Sequence, residues 1–180
     1  MAIVVGTNAG FVTVRPSGDP AGNLIDTAGF ATAGKFTSPA GTNTVNELGW
    51  YCGSTPATGS FRIGIYADVG GTTPGALLAS DKAVVITNGW NYSALSYSLT
   101  AGTVYWIGIQ IDTGETKNTA YADSANPDQA FISSQSALPS PWGTSSFTLS
   151  RTPAFYALYT SSGGPTPSPV ASMLARFRNS

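Results

Sequence analysis

The feature that most limits what this chain can become is a two-residue apolar rhythm that keeps restarting between clusters of Gly, Pro and Asn. Phe61, Ile63 and Ile65 alternate with Arg62 and Gly64, while Tyr105, Ile107, Ile109 and Ile111 share one face and Val104 and Trp106 begin the other. Leu95, Tyr97 and Leu99 alternate with serines, and Leu48, Trp50 and Cys52 form a further set. Successive side chains of a strand point to opposite faces, so each run predicts a strand with one face on a core. Ala154 to Tyr159 is aromatic on both faces, the pattern of a strand covered on each side. Turn signals separate the runs: Asn88-Gly89, the segment from Gly70 to Gly75, and Ala101-Gly102. About eight strands result, and no segment before residue 168 shows capped 3.6-residue periodicity. Strands without intervening helices predict an all-β fold, a single antiparallel β-sandwich of jelly-roll or immunoglobulin-like type.

Three regions are expected: an extended N-terminal arm over 1–22, the sandwich over 23–160, and a Pro-rich tail over 161–180. The tail opens Ser-Ser-Gly-Gly-Pro-Thr-Pro-Ser-Pro, a flexible stretch followed by alternating prolines that favour polyproline II. Val170, Met173, Leu174 and Phe177 then recur at helical spacing, with Ser168 and Pro169 placed as N-cap and first helical residue. So short a helix is marginal alone and needs a surface to dock on. Asn118 to Thr144 is expected to be a long loop with one short strand at Ala130 to Ile132.

Charged residues are 9% of the chain and the net charge is −1, so no basic stripe exists to neutralise phosphates and nucleic acid is not an expected partner. No apolar run reaches the roughly 20 residues that cross a bilayer as a helix, and the N-terminus lacks the basic and apolar regions of a signal peptide. Neither a membrane span nor a secretory leader is expected. The absence of histidine removes the commonest general base, every Ser-His or Cys-His pair and most transition-metal sites. The single cysteine, Cys52, follows Trp50 on an apolar strand and reads as packing. Asp68, Asp81 and Asp112 end strand patterns, where they cap turns. Asp123, Asn126 and Asp128 could supply oxygens to calcium, but Asx turns around Pro127 account for them more simply. No phosphate loop, dinucleotide fingerprint or zinc spacing occurs. The chain is therefore expected to be no enzyme, with no catalytic residue, cofactor or metal.

Trp90, Tyr92, Trp142 and Tyr121 fall in or near predicted turns, where aromatic rings either close the ends of a sandwich or present flat faces to sugars. Trp90, Tyr92 and Trp142 are the candidate glycan platform. Asn91-Tyr92-Ser93 also satisfies the N-glycosylation pattern.

From Phe61 through Ile111 the order is Ile-Tyr-Ala-Asp, Val-Gly-Gly-Thr-Thr-Pro-Gly-Ala-Leu-Leu-Ala-Ser, Gly-Trp-Asn-Tyr, and Leu-Thr-Ala-Gly-Thr-Val-Tyr-Trp-Ile-Gly-Ile-Gln. This resembles a loosely defined group of β-sandwich modules found in bacterial surface proteins and in phage virion structural proteins. The resemblance implies a non-catalytic structural or appended domain and carries over no catalytic residue. It leads to the expectation of a bacteriophage virion protein, in capsid decoration, tail or fibre, whose partners are copies of itself and other virion proteins. Ile3 and Val5 would add a strand to a neighbour's sheet, and Val170, Met173, Leu174 and Phe177 would pack on a neighbouring subunit. The location is then the virion, after synthesis in a host cytoplasm, or the cell surface or exterior if a leader has been removed. The alternative is a carbohydrate-binding or adhesin module with glycans as partners. Removing residues 161–180 should leave a folded monomer that no longer assembles; unchanged assembly in light scattering would overturn the docking role of the tail.

Overall fold

The computed structural model describes residues 1–26, 29–53, 59–111, 118–126 and 128–161. These contain thirteen strands and no helix: β1 (Gly10–Val12), β2 (Asn23–Asp26), β3 (Phe30–Thr37), β4 (Asn43–Cys52), β5 (Ser60–Val69), β6 (Thr73–Val85), β7 (Gly89–Leu99), β8 (Val104–Ile111), β9 (Asn118–Asp123), β10 (Gln129–Ser133), β11 (Phe147–Leu149), β12 (Arg151–Pro153) and β13 (Phe155–Ser161). One sheet runs β1-β13-β4-β9-β12, with β2 added on β9 and β7 on β4; the other runs β11-β10-β3-β8-β5-β6. Among the strand pairings only β1 with β13 is parallel, so the architecture is the expected antiparallel sandwich.

The inner faces meet as the two-residue rhythm requires. Val45, Leu48, Trp50 and Cys52 of β4, with Phe11 and Phe155, face Phe61, Ile63 and Ile65 of β5 and Tyr105, Ile107, Ile109 and Ile111 of β8. Rings join the sheets edge to face, Trp50 on Phe61 at 5.7 Å and Phe11 on Tyr105 at 6.2 Å between centroids. Full burial of each such side chain is worth roughly 1.5–3 kcal/mol, so this layer supplies the main driving force. Val45 and Leu48 both reach it although two residues, Asn46 and Glu47, lie between them. The register of β4 against both β7 and β13 shifts at Asn46, and the extra residue of the bulge restores the inward phase.

The outward faces are apolar too, and the chain covers both. On the β5–β8 sheet, Tyr66 and Trp106 lie with Ala31, Ala33 and Ala130 beneath Leu138 and Trp142. The segment 134–146 that carries this cover is anchored by the Tyr66 hydroxyl, which donates to the Pro139 carbonyl at 3.0 Å, and by Trp142 N–H on the Gly75 carbonyl at 2.9 Å. On the β4 sheet, Tyr51, Ala120 and Ala154 pack with Ile3 and Trp90, under residues that precede β2.

Several expectations change in consequence. The eight expected strands become thirteen, in part because β1, β11 and β12 are three-residue pieces with no periodicity to read. The irregular stretch from Asn118 holds two strands, β9 and β10, before the covering loop begins. The N-terminal arm is not a free extension: Ala9, Phe11 and Val12 are buried, and Ile3 packs on its own domain. The Ile3 side chain is thus half-buried on its own domain, whereas Val5 forms a bridge with Ala9 and stays 60% exposed. Val170, Met173, Leu174 and Phe177 lie outside the described residues, as does Asp112. At the turn between β5 and β6 the reading holds for Gly70 and Gly71, while Thr73, Pro74 and Gly75 belong to β6. Gly70 and Gly71 both take positive φ, and Gly71 N–H is capped by the Asp68 carboxylate at 2.6 Å.

Trp142 is 2% exposed and its ring meets Tyr66 edge to face at 5.1 Å. Trp142→Ala should therefore cost about 3–5 kcal/mol and lower the thermal midpoint, measured by circular dichroism. A midpoint unchanged from wild type would show that the 134–146 cover contributes nothing.

Candidate binding face

β7 carries the residues of interest on its outward side. Alternation from Trp90 places Tyr92, Ala94, Ser96 and Ser98 on the same side, and all but the half-buried Trp90 are exposed. The opposite side of β7 turns inward: Asn91 and Ser93 are buried, and Leu95 and Tyr97 pack against the core. Asn91 accepts from Thr87 N–H at 2.6 Å and donates to the Thr87 and Gly89 carbonyls at 2.8 and 2.9 Å. It locks the turn into β7 and is not presented for glycosylation.

Beside this row the N-terminal segment crosses the sheet as a strap. Pro16 and Pro20 are buried, Trp90 Nε1 donates to the Gly18 carbonyl at 2.8 Å, and Trp90 sits edge to face with Tyr51 at 5.4 Å and Tyr156 at 5.5 Å. Tyr156 lies flat against β4 because residue 49 is glycine; a Cβ there would run into its ring. Arg15 is the clasp. Its guanidinium holds both oxygens of Glu47, with Nε to Oε1 at 2.9 Å and Nη2 to Oε2, and stacks 3.9 Å over the Tyr92 ring. Glu47 Oε1 also accepts from the Tyr156 hydroxyl at 2.6 Å.

The electrostatics follow from burial and this clasp. The hydrogen bond to Glu47 raises the Arg15 pKa above its ordinary value. Burial, helped by the bond to Glu47, raises the Tyr156 phenol. Tyr51 is pushed up to about 12, first by burial and then by its hydrogen bond to Asp19 of the strap. These phenols are therefore neutral hydrogen-bonding groups at neutral pH.

No family model and no curated protein sequence matches the chain. Its backbone does match solved structures. One comprises the cysteine protease and lectin-like domains of a surface layer associated protein of Clostridium difficile, with a TM-score of 0.57 and 15% identity over 77% of this chain and 34% of that one. Another is a clostridial cysteine protease variant after propeptide cleavage, with a TM-score of 0.56 and 15% identity over 78% of this chain and 38% of that one. The present chain thus spans between a third and two fifths of the lengths it matches. At this identity the likeness is one of fold.

Of the three expected platform residues, the structure unites two. Trp90 and Tyr92 share the outward face of β7, with Tyr92 42% exposed, whereas Trp142 is buried on the outer side of the other sheet. It cannot belong to one surface with them, a correction that follows from its role in the covering loop. Tyr121 is buried under the Arg151 guanidinium at 3.9 Å. Asp128 forms an ion pair with Lys35 at 3.1 Å, and among the described residues no group of three or more His, Cys, Asp or Glu is placed to hold a metal. Sequence reasoning missed Arg15 and Glu47 altogether. They are 32 residues apart, and neither stands in a recognisable motif.

A tyrosine whose pKa is higher in the folded than in the unfolded chain adds stability that is complete below the unfolded value and is lost as pH rises through the folded one. For Tyr51 that window runs from 10.0 to about 12, and Tyr156 is raised in the same direction. Stability measured by urea unfolding should fall as pH rises above about 10, and Tyr51→Phe should make the fall shallower. Equal slopes for the two proteins would overturn the assignment.

Proposed function

We propose that this chain is a non-catalytic recognition module of the carbohydrate-binding or adhesin kind, which receives a saccharide along the outward row of β7. The observation that carries this reading is the row itself: Trp90 and Tyr92 followed by exposed Ala94, Ser96 and Ser98, on a sheet whose neighbouring outward aromatics the strap covers. A sugar ring sets its C–H-rich side against an aromatic face and its hydroxyls against polar groups. Arg15 stacked on Tyr92 holds the ring in place before the ligand arrives, which reduces the ordering cost of binding. Similarity of fold to a structure that includes a lectin-like domain is in keeping with this use.

A non-catalytic role is supported by what four of the described carboxylates do. Glu47 is held by Arg15 and Tyr156, Asp68 by Gly71 and Trp106, Asp81 by Ser93, and Asp128 by Lys35. Glycoside hydrolysis asks for two carboxyl groups about 5–10 Å apart across a groove, one of them at liberty to move a proton. Display on a phage particle or on a cell surface would serve recognition equally, because many copies convert weak single-site binding into avidity.

On a glycan array the module should show saturable binding that Tyr92→Ala weakens about tenfold, equivalent to ~1.4 kcal/mol, with the circular dichroism spectrum retained. Silence across the array, or binding that Tyr92→Ala leaves intact, would overturn the assignment to this face.

A further inference from the structure

We propose a second saccharide site in the cleft where the edge strand β6 of one sheet faces β7 of the other; its ligand class rests on the carbohydrate-binding reading above. The cleft has a volume of about 430 Å³ and is lined by Asp68, Leu78, Tyr97, Thr103, Val104 and Tyr105. That volume is in the range of small-molecule sites, roughly 300–1,000 Å³. None of these residues belongs to the outward row of β7, since Tyr97 is on that strand's inward side.

The cleft owes its opening to irregular pairing between β5 and β6. Ile65 pairs with Ala79 and Tyr66 with Leu77, so Leu78 is the extra residue of a bulge. It stands 36% exposed at the mouth of the cleft. Deeper in, Tyr97 and Tyr105 meet edge to face at 6.0 Å, and Tyr105 is tied down by Thr100 N–H, which donates to its hydroxyl at 2.9 Å. Burial and the bond to Tyr105 raise the Tyr97 pKa, so its phenol is neutral there.

Asp68 borders one end of the cleft, with its carboxylate on the outward side of the sheet beside Trp106. Trp106 Nε1 donates to its Oδ1 at 2.7 Å and Gly71 N–H to its Oδ2 at 2.6 Å. These bonds hold the turn that borders the cleft rigid. A pyranose seated in the cleft would set a hydroxyl against the Tyr97 phenol. The rings and Leu78 offer apolar surface to its C–H face, and the Thr103 hydroxyl adds a further partner. With no cation among the described residues that line it, the cleft favours an uncharged sugar over a phosphorylated or uronic one.

The test is an NMR titration of the full chain, labelled at tyrosine, threonine and leucine, with glucose, galactose, mannose and N-acetylglucosamine in turn. At least one sugar should move Tyr97, Tyr105 and Thr103 resonances saturably. Leu78→Arg, which blocks the mouth from an exposed position, should abolish those shifts, and Tyr97→Phe, which keeps the ring and drops the hydroxyl, should weaken them several-fold. Tyr92→Ala should leave them unchanged. Shifts confined to the outward row of β7 would overturn the cleft and leave the first reading standing. Cleft shifts that survive Leu78→Arg would overturn it as well, and no shift anywhere, together with a silent array, would sink both.

Discussion

Water exclusion on both sides of both sheets is the condition on which this molecule rests. β4 alternates Leu48, Trp50 and Cys52 inward with Glu47, Gly49 and Tyr51 outward, and β5 and β8 send Tyr66 and Trp106 outward from an equally apolar inner face. An ordinary antiparallel sandwich solvates its outer faces. Here that would expose a contiguous aromatic patch on each side, the kind of surface that drives association. The chain answers with two irregular covers, the strap before β2 and the loop after β10, and becomes four layers where a sandwich has two.

The covers are held by different means. Segment 134–146 is fastened by a buried indole and by hydrogen bonds to main-chain carbonyls, among them Tyr66 on Pro139, Trp142 on Gly75, Gln135 on Gly29 and Ser146 on Phe131. The strap depends on polar contacts: Arg15 on Glu47, Asp19 on Tyr51, Gly18 on Trp90. Glu47 is buried, and a buried carboxylate left unpaired is costly, so Arg15 serves the sheet as much as the sheet serves the strap. The phenol of Tyr156 extends the same node to the neighbouring strand.

Covering two faces leaves few places where the module can meet anything else. One is the outward row of β7, beyond the reach of the strap except for Arg15. Another is the opening between β6 and β7, two edge strands of different sheets joined near Asp81 and Ser93 and parted by the bulge at Leu78. Both are walled by aromatic rings and hydroxyls with little charge, which follows from a composition rich in Ser, Thr and Tyr and poor in ions.

The sequence by itself determined the class of fold, the main strands and the inner core, because a two-residue apolar period has one physical meaning wherever one face is buried. The inward sets Phe61 to Ile65, Leu48 to Cys52 and Tyr105 to Ile111 were all legible, as was the glycine turn capped by Asp68. It also marked Trp90 and Tyr92 as aromatic residues near a turn. Only the tertiary structure decided which aromatic side chains are surface and which are cover. Trp142 looks like Trp90 in a local window, yet the loop that carries it folds onto Tyr66. Arg15, Glu47 and the walls of the cleft come from separate strands and from the strap, and the distance between such residues along the chain says nothing of their distance in space. Burial is a property of the assembled layers, so no single segment could announce it.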